Sequence, residues 1–201
     1  MTKPPPSKIL VVLGSLQARS TNATLVRAVL AYLGGNTDVT YTRALYDLPP
    51  FNPDVEAGTP PPSVGAWRAE LMAADVVLIA TPEYAFGIPG ALKNALDWVV
   101  GTGEFVGKRV ALIAASATGA SYAMEALERT IRVQSAEVVA TQRVAGVRAK
   151  LDENGGVSDP ETRDELAQFA AHISASLEFR RSMETAAERT ATEAPASARG
   201  G

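Results

Sequence analysis

The stretch DVVLIATPEYAFGIPGALKNALDW, residues 75–98, divides into three parts. Asp75–Ala80 is a short apolar run with Val-Val-Leu-Ile at its centre, the pattern of a strand buried on both faces. Thr81–Gly90 brings Pro82, Gly87, Pro89 and Gly90 close together, which interrupts helix and strand alike and predicts a loop of defined shape. Ala91–Trp98 then reads as a helix, with Pro89 and Gly90 at its start. A polar-aromatic loop between a buried strand and a helix sits at the carboxyl edge of a sheet, where open α/β proteins bind ligands.

Upstream, Lys8–Leu13 (KILVVL) predicts a first buried strand that ends at Gly14. Gly14–Asn22 (GSLQARSTN) is a loop rich in hydroxyls and amides. Leu25, Val26, Val29, Leu30 and Leu33 then form a helical stripe over Ala23–Leu33, closed by Gly34-Gly35-Asn36. Val39–Thr42 reads as a short second strand. Arg43–Ser63 is proline-rich and is expected to be irregular over most of its length. Val64–Ala73 predicts a helix with Trp67 and Leu71 at i and i+4.

Downstream, Lys108–Ala115 (KRVALIAA) predicts a fourth strand and Ser116–Ser121 (SATGAS) a third small-residue loop. Tyr122–Val133 reads as a helix and Glu137–Thr141 as a fifth strand. Residues 152–156 (DENGG) form a turn or hairpin tip. Pro160–Arg181 is a last amphipathic helix with Leu166, Phe169, Ile173 and Leu177 on one face. Residues 1–7 are expected to be a flexible N-terminus. Residues 182–201, rich in Thr, Ala, Glu, Pro, Ser and Gly, are expected to be a disordered tail.

Five strands alternating with helices demand a parallel sheet with helices on both faces. The order 2-1-3-4-5 fits, and the chain then reverses direction between strands 1 and 3. The crevice at that point is lined by Gly14–Asn22 and Thr81–Gly90, the two loops richest in donors and aromatics. Architecture and loop chemistry select the same place.

Composition excludes several chemistries. The chain of 201 residues has no cysteine and one histidine, which rules out disulfides, thiolate metal sites and a His-rich metal site within one chain. A net charge of −3 gives no reason to expect nucleic acid or an anionic membrane as partner. No apolar run is long enough to span a bilayer, and Met1–Ser7 lacks a signal-peptide core, so a cytoplasmic protein is expected.

Gly14–Asn22 suits a phosphate held by neutral donors and a helix dipole; the alternative is plain N-capping by Ser20, Thr21 or Asn22. It is neither GxGxxG nor a Walker loop. Thr81–Gly90 offers backbone amides with two rings, Tyr84 and Phe86, which suits an aromatic heterocycle; the alternative is a rigid turn with core aromatics.

These two motifs together, GSLQARSTN and TPEYAFGIPGALKNALDW, closely resemble the NADPH-dependent FMN reductase family, a group that includes quinone, azo-dye and chromate reductases. The likeness covers roughly residues 8 to 180. It implies a flavodoxin-like α/β three-layer sandwich over residues 8–181, and bound FMN with NADPH or NADH as donor. It also implies a small-molecule acceptor (flavin, quinone, azo compound or metal oxyanion) and a homodimer or homotetramer. By the resemblance, Ser15, Ser20 and Asn22, with Gln17 beside them, stand where the family holds the FMN phosphate, and Gly14, Arg19 and Thr21 of the same loop count among the cofactor-binding residues. Pro82, Glu83, Tyr84 and Gly87 run along the isoalloxazine, largely through backbone groups, and Ala85 and Phe86 of the same loop count among the cofactor-binding residues. Ser116, Ala117, Thr118 and Gly119 close its other edge. The chain departs from the family pattern at Gln17, commonly Arg, at Ala85, commonly Asn, and in the low glycine content of SATGAS.

No side chain stands out as a catalytic acid or base. Glu83 reads as mostly structural, His172 as a surface or partly buried residue, and Lys93, Asn94 and Asp97 as a solvated face or subunit contact. Asp47, Asp54 and Glu56 read as a solvated loop and not a metal site. A reductase cycling through FMN is the leading expectation. A flavodoxin-type electron carrier and a non-catalytic flavin-binding domain are the alternatives.

Overall fold

The computed structural model describes residues 5–17, 20–34 and 36–193, with side chains as far as Met183. Five strands form one sheet in the order β2-β1-β3-β4-β5, namely β1 (Ser7–Leu13), β2 (Thr37–Tyr41), β3 (Val76–Thr81), β4 (Arg109–Ser116) and β5 (Glu137–Ala145). All four pairings are parallel, as the strand–helix alternation requires. The seven helices found among the described residues are α1 (Thr21–Tyr32), α2 (Ala44–Asp47), α3 (Pro53–Ala57), α4 (Pro62–Ala73), α5 (Gly90–Asp97), α6 (Ser121–Val133) and α7 (Pro160–Glu193). A 3₁₀ turn spans Val147–Lys150.

Side-chain alternation along the strands splits the core in two. Leu10, Val12, Val77, Ile79, Val110 and Leu112 face α4, α5 and α6, where Trp67, Leu71, Leu92, Leu96, Leu127 and Ile131 meet them. Ile9, Val11, Val76, Leu78, Ala111 and Ile113 face α1 and α7, packing on Leu25, Val29, Leu166, Phe169 and Ile173. Every residue of β3 is buried, which is why residues 76–80 read as an unbroken apolar run. Each fully buried Leu, Ile or Val contributes roughly 1.5–3 kcal/mol.

Four expectations need correction. Residues 43–63 are not irregular over most of their length, because they contain α2, α3 and the start of α4. Their prolines delimit helices: Pro53 occupies the first turn of α3, and Asn52 caps it by accepting from the Asp54 N–H at 2.9 Å. Asn94 is not part of a solvated face. Its amide donates to the Pro49 carbonyl at 2.9 Å and accepts from the Phe51 N–H at 2.7 Å, pinning this segment to α5. Trp98 donates to the same carbonyl and meets Phe51 edge-on at 5.2 Å. Lys93 and Asp97 do form an exposed i,i+4 pair.

The third correction is at the amino end. β1 begins at Ser7, whose N–H bonds to the Asn36 carbonyl and whose hydroxyl accepts from Arg181; residues 1–4 lie outside the described residues. The last concerns the far end. α7 does not stop at Arg181 but continues to Glu193. Residues 184–193 (ETAAERTATE) carry Ala, Glu and Arg, strong helix formers by which an established helix is extended one residue at a time. Residues 194–201 lie outside the described residues.

Candidate functional site

At the carboxyl edge of the sheet, four connections surround a cavity of about 620 Å³. The first, after β1, turns at Gly14. A Cβ there would stand 3.0 Å from Thr81 Oγ1, 3.1 Å from Leu92 and 3.2 Å from the Ala80 carbonyl, so only glycine lets the first and third strands' loops approach this closely. Beyond it, Ser15, Gln17, Ser20, Thr21 and Asn22 line the cavity. Arg19 lies outside the described residues.

Their hydrogen bonds separate structural groups from available ones. Asn22 is buried, and its amide reads both backbone groups of Ala115: it accepts from the N–H at 3.0 Å and donates to the carbonyl at 3.4 Å. It fastens the first turn of α1 to the end of β4. Ser15 Oγ shares a 3.2 Å hydrogen bond with the Tyr84 hydroxyl and accepts from the Gln17 N–H, which ties the first loop to the third strand's loop. Ser20 occupies the N-cap position of α1 yet makes no capping bond with its side chain. A buried hydroxyl at a helix N-terminus without that bond is available to a ligand, and plain capping by Ser20 does not describe it.

After β3, Pro82, Glu83 and Tyr84 line the cavity. Tyr84 and Gly87 exchange both backbone hydrogen bonds, at 2.9 and 3.0 Å. Ala85 and Phe86 between them lie at φ +48° and +59°, the geometry of a type I′ turn. That turn carries Ala85, Phe86 and Gly87 outside the cavity lining, and Phe86 meets Tyr122 edge-on at 5.2 Å, with both rings exposed. The Glu83 carboxylate accepts from the Ala123 N–H at 3.0 Å in the first turn of α6, satisfying one of that helix's orphan donors. This bond fastens the loop after β3 to α6.

After β4, Ser116 and Ala117 line the cavity, whereas Thr118 and Gly119 do not. The Ser116 hydroxyl accepts from the N–H groups of Thr118 and Ala120 and so shapes the entry into α6. The fourth connection was absent from the sequence expectation. Gly146, Val147, Arg148 and Ala149, on the turn after β5, complete the wall together with Ala115. Predicting β5 to end at Thr141 placed this turn below the sheet edge. The signal lay in the buried Val144, which continues the strand alternation, followed by Gly146 at φ +60°.

A profile of the NADPH-dependent FMN reductase family matches residues 7–149. The chain belongs to that family. Its sheet order is that of a flavodoxin-like fold, and as an NADPH-dependent FMN reductase it is an oxidoreductase that works with FMN and a nicotinamide donor. A quinone reductase of Pseudomonas putida is 30% identical, over 87% of this chain and 97% of that protein. A probable NADPH:quinone oxidoreductase 2 of rice (Oryza sativa subsp. japonica) is 32% identical over 87% of this chain and 90% of its own length. Among solved structures, the flavoenzyme NAD(P)H:(acceptor) oxidoreductase FerB of Paracoccus denitrificans superposes with a TM-score of 0.70 at 27% identity, covering 86% of this chain and 97% of that one.

Proposed function

We propose that this FMN reductase holds the flavin in the switch-point cavity and reduces a small acceptor of the quinone type at the cavity's aromatic rim. One observation carries the reading: the buried, uncommitted Ser20 hydroxyl at the start of α1, facing a cavity bordered by Tyr84. The residues present fit FMN. Ser20, Thr21 and Gln17, with the first N–H groups of α1, would take the phosphate. The backbone of Pro82–Tyr84 and the Ser116–Ala117 turn would flank the ring. Bound there, FMN supplies hydride acceptance and release.

The protein's own part is placement. The bond between Ser15 and Tyr84 keeps the two principal loops in fixed relation, and Asn22 holds α1 against β4. Backbone N–H groups at the ring's edge would stabilise negative charge on the reduced cofactor. Glu83 is engaged with α6, so no side-chain acid or base is invoked. Likeness to quinone reductases over nearly their whole length supports the acceptor class. Residues 8–181 are the cofactor-binding unit in this reading. A homodimer or homotetramer is part of it, supported by the exposed Phe86–Tyr122 pair. So is a cytoplasmic setting; among the described residues no helix is long and apolar enough to cross a membrane.

Anaerobic mixing with NADPH or NADH is expected to bleach the flavin absorbance, and a quinone should restore it. Initial rates with donor and benzoquinone both varied should give parallel double-reciprocal lines, since both use one open face in turn. Bleaching by dithionite but by neither nicotinamide would replace this reading with an electron carrier.

A further inference from the structure

We propose that Arg148, on the turn after β5, is the cationic partner of the flavin phosphate. The inference rests on the cavity being the FMN site and adds the charge that its phosphate end requires. A phosphate monoester carries about −1.5 to −2 at neutral pH. A helix N-terminus offsets only about half a unit, and among the described residues the side chains beside it, Gln17, Ser20 and Thr21, are neutral donors.

Among the described residues lining the cavity, two are charged, Glu83 and Arg148. Glu83 is committed to the Ala123 N–H. Among the described residues the Arg148 side chain forms neither a hydrogen bond nor an ion pair. Arg27, the next cation along α1, donates to Thr24 Oγ1 at 2.9 Å and lines a neighbouring cleft instead.

The position of Arg148 is built. The Gly146 N–H bonds to the Ser116 carbonyl at 3.0 Å, and the Ala149 N–H closes the turn on the Gly146 carbonyl. Val147 is buried and anchors the turn, while Arg148 beside it is exposed. Ser116 follows Ala115, whose backbone is held by Asn22 in the first turn of α1. A short chain of hydrogen bonds therefore fixes the Arg148 backbone relative to the helix N-terminus. A guanidinium there would meet the phosphate bidentately.

Titrations of the apo-protein with FMN and with riboflavin, which lacks the phosphate, test this for the wild type, Arg148→Gln and Arg148→Lys. Arg148→Gln is expected to weaken FMN about tenfold or more, the loss of a hydrogen bond to a charged group. Riboflavin affinity should stay within about twofold. Arg148→Lys should recover part of the loss, and added KCl should weaken FMN binding less in Arg148→Gln than in the wild type. Equal losses for both flavins, or no loss for either, would overturn the assignment. Unchanged flavin binding with weakened NADP⁺ binding to the holo-protein would move Arg148 to the donor phosphate and overturn it too. A wild type that binds neither flavin would instead remove the cavity's assignment as the FMN site.

Discussion

Ala85 sits at φ +48°, where an L-residue with a Cβ is strained by roughly 1–2 kcal/mol. Ala85→Gly should therefore raise stability by roughly 1 kcal/mol, offset in part by the freer unfolded chain. Urea denaturation of the two proteins measures it. Ser20 and Asn22, side by side in the sequence reading, should behave differently. Asn22→Ala leaves the Ala115 N–H and carbonyl buried without partners and should cost about 1–3 kcal/mol of apo-protein stability. Ser20→Ala removes a hydroxyl that makes no capping bond; it should leave the apo-protein melting temperature in place and weaken FMN. Equal melting of the two variants would contradict that division. Both residues were legible as members of a hydroxyl- and amide-rich loop. Which one holds the fold and which remains free depends on Ala115, distant in sequence, and no local pattern contains that.

At the scale of elements, α7 starts on Asp159. Its carboxylate accepts from the Thr162 hydroxyl at 2.6 Å and from the Thr162 N–H at 2.9 Å. These bonds, the hydroxyl first, hold its pKa below the ordinary 3.8. A folded-state pKa lower than the unfolded one means that the cap stabilises fully above that ordinary value and is lost as pH falls through the lowered one. Asp159→Ala should lower the melting temperature near neutral pH, and the two melting curves should converge below about pH 4. A gap that persisted in acid would show that the cap does not act through the carboxylate's charge. At its other end, α7 continues past its apolar stripe. Leu166, Phe169, Ile173 and Leu177 are buried, the last of them 16 residues before Glu193. A chain ending at Met183 should keep its melting temperature and its FMN content, and a marked loss of either would show that residues 184–201 dock.

At the scale of the molecule, the fold is a sheet whose two faces are sealed by separate cores, with function left to its carboxyl edge. The reversal between β1 and β3 leaves their loops adjacent, and Gly14 sets how near they come. Gly14→Ala should force them apart at the cost of about 1–3 kcal/mol, as overpacking does, and should weaken FMN binding in step. Denaturation and flavin titration of the same preparation read both. A loss of stability with unchanged FMN affinity would show that loop spacing does not govern the site.

The sequence by itself determined the parallel sheet, its order and the switch-point crevice, because strand burial, helix stripes and loop breakers are local signals and right-handed crossovers leave few ways to connect them. It also contained the two motifs by which the family is recognised. Tertiary structure alone decided the rest. The turn after β5 joins the cavity wall because β5 extends to Ala145 beside Ser116. Asn94 holds the proline-rich segment because α5 brings it beside Pro49 and Phe51. Glu83 becomes a helix anchor because α6 begins within its reach. In each case the deciding partner is distant along the chain, and which hydrogen bonds a polar side chain makes is settled only when the sheet has brought the loops to one edge.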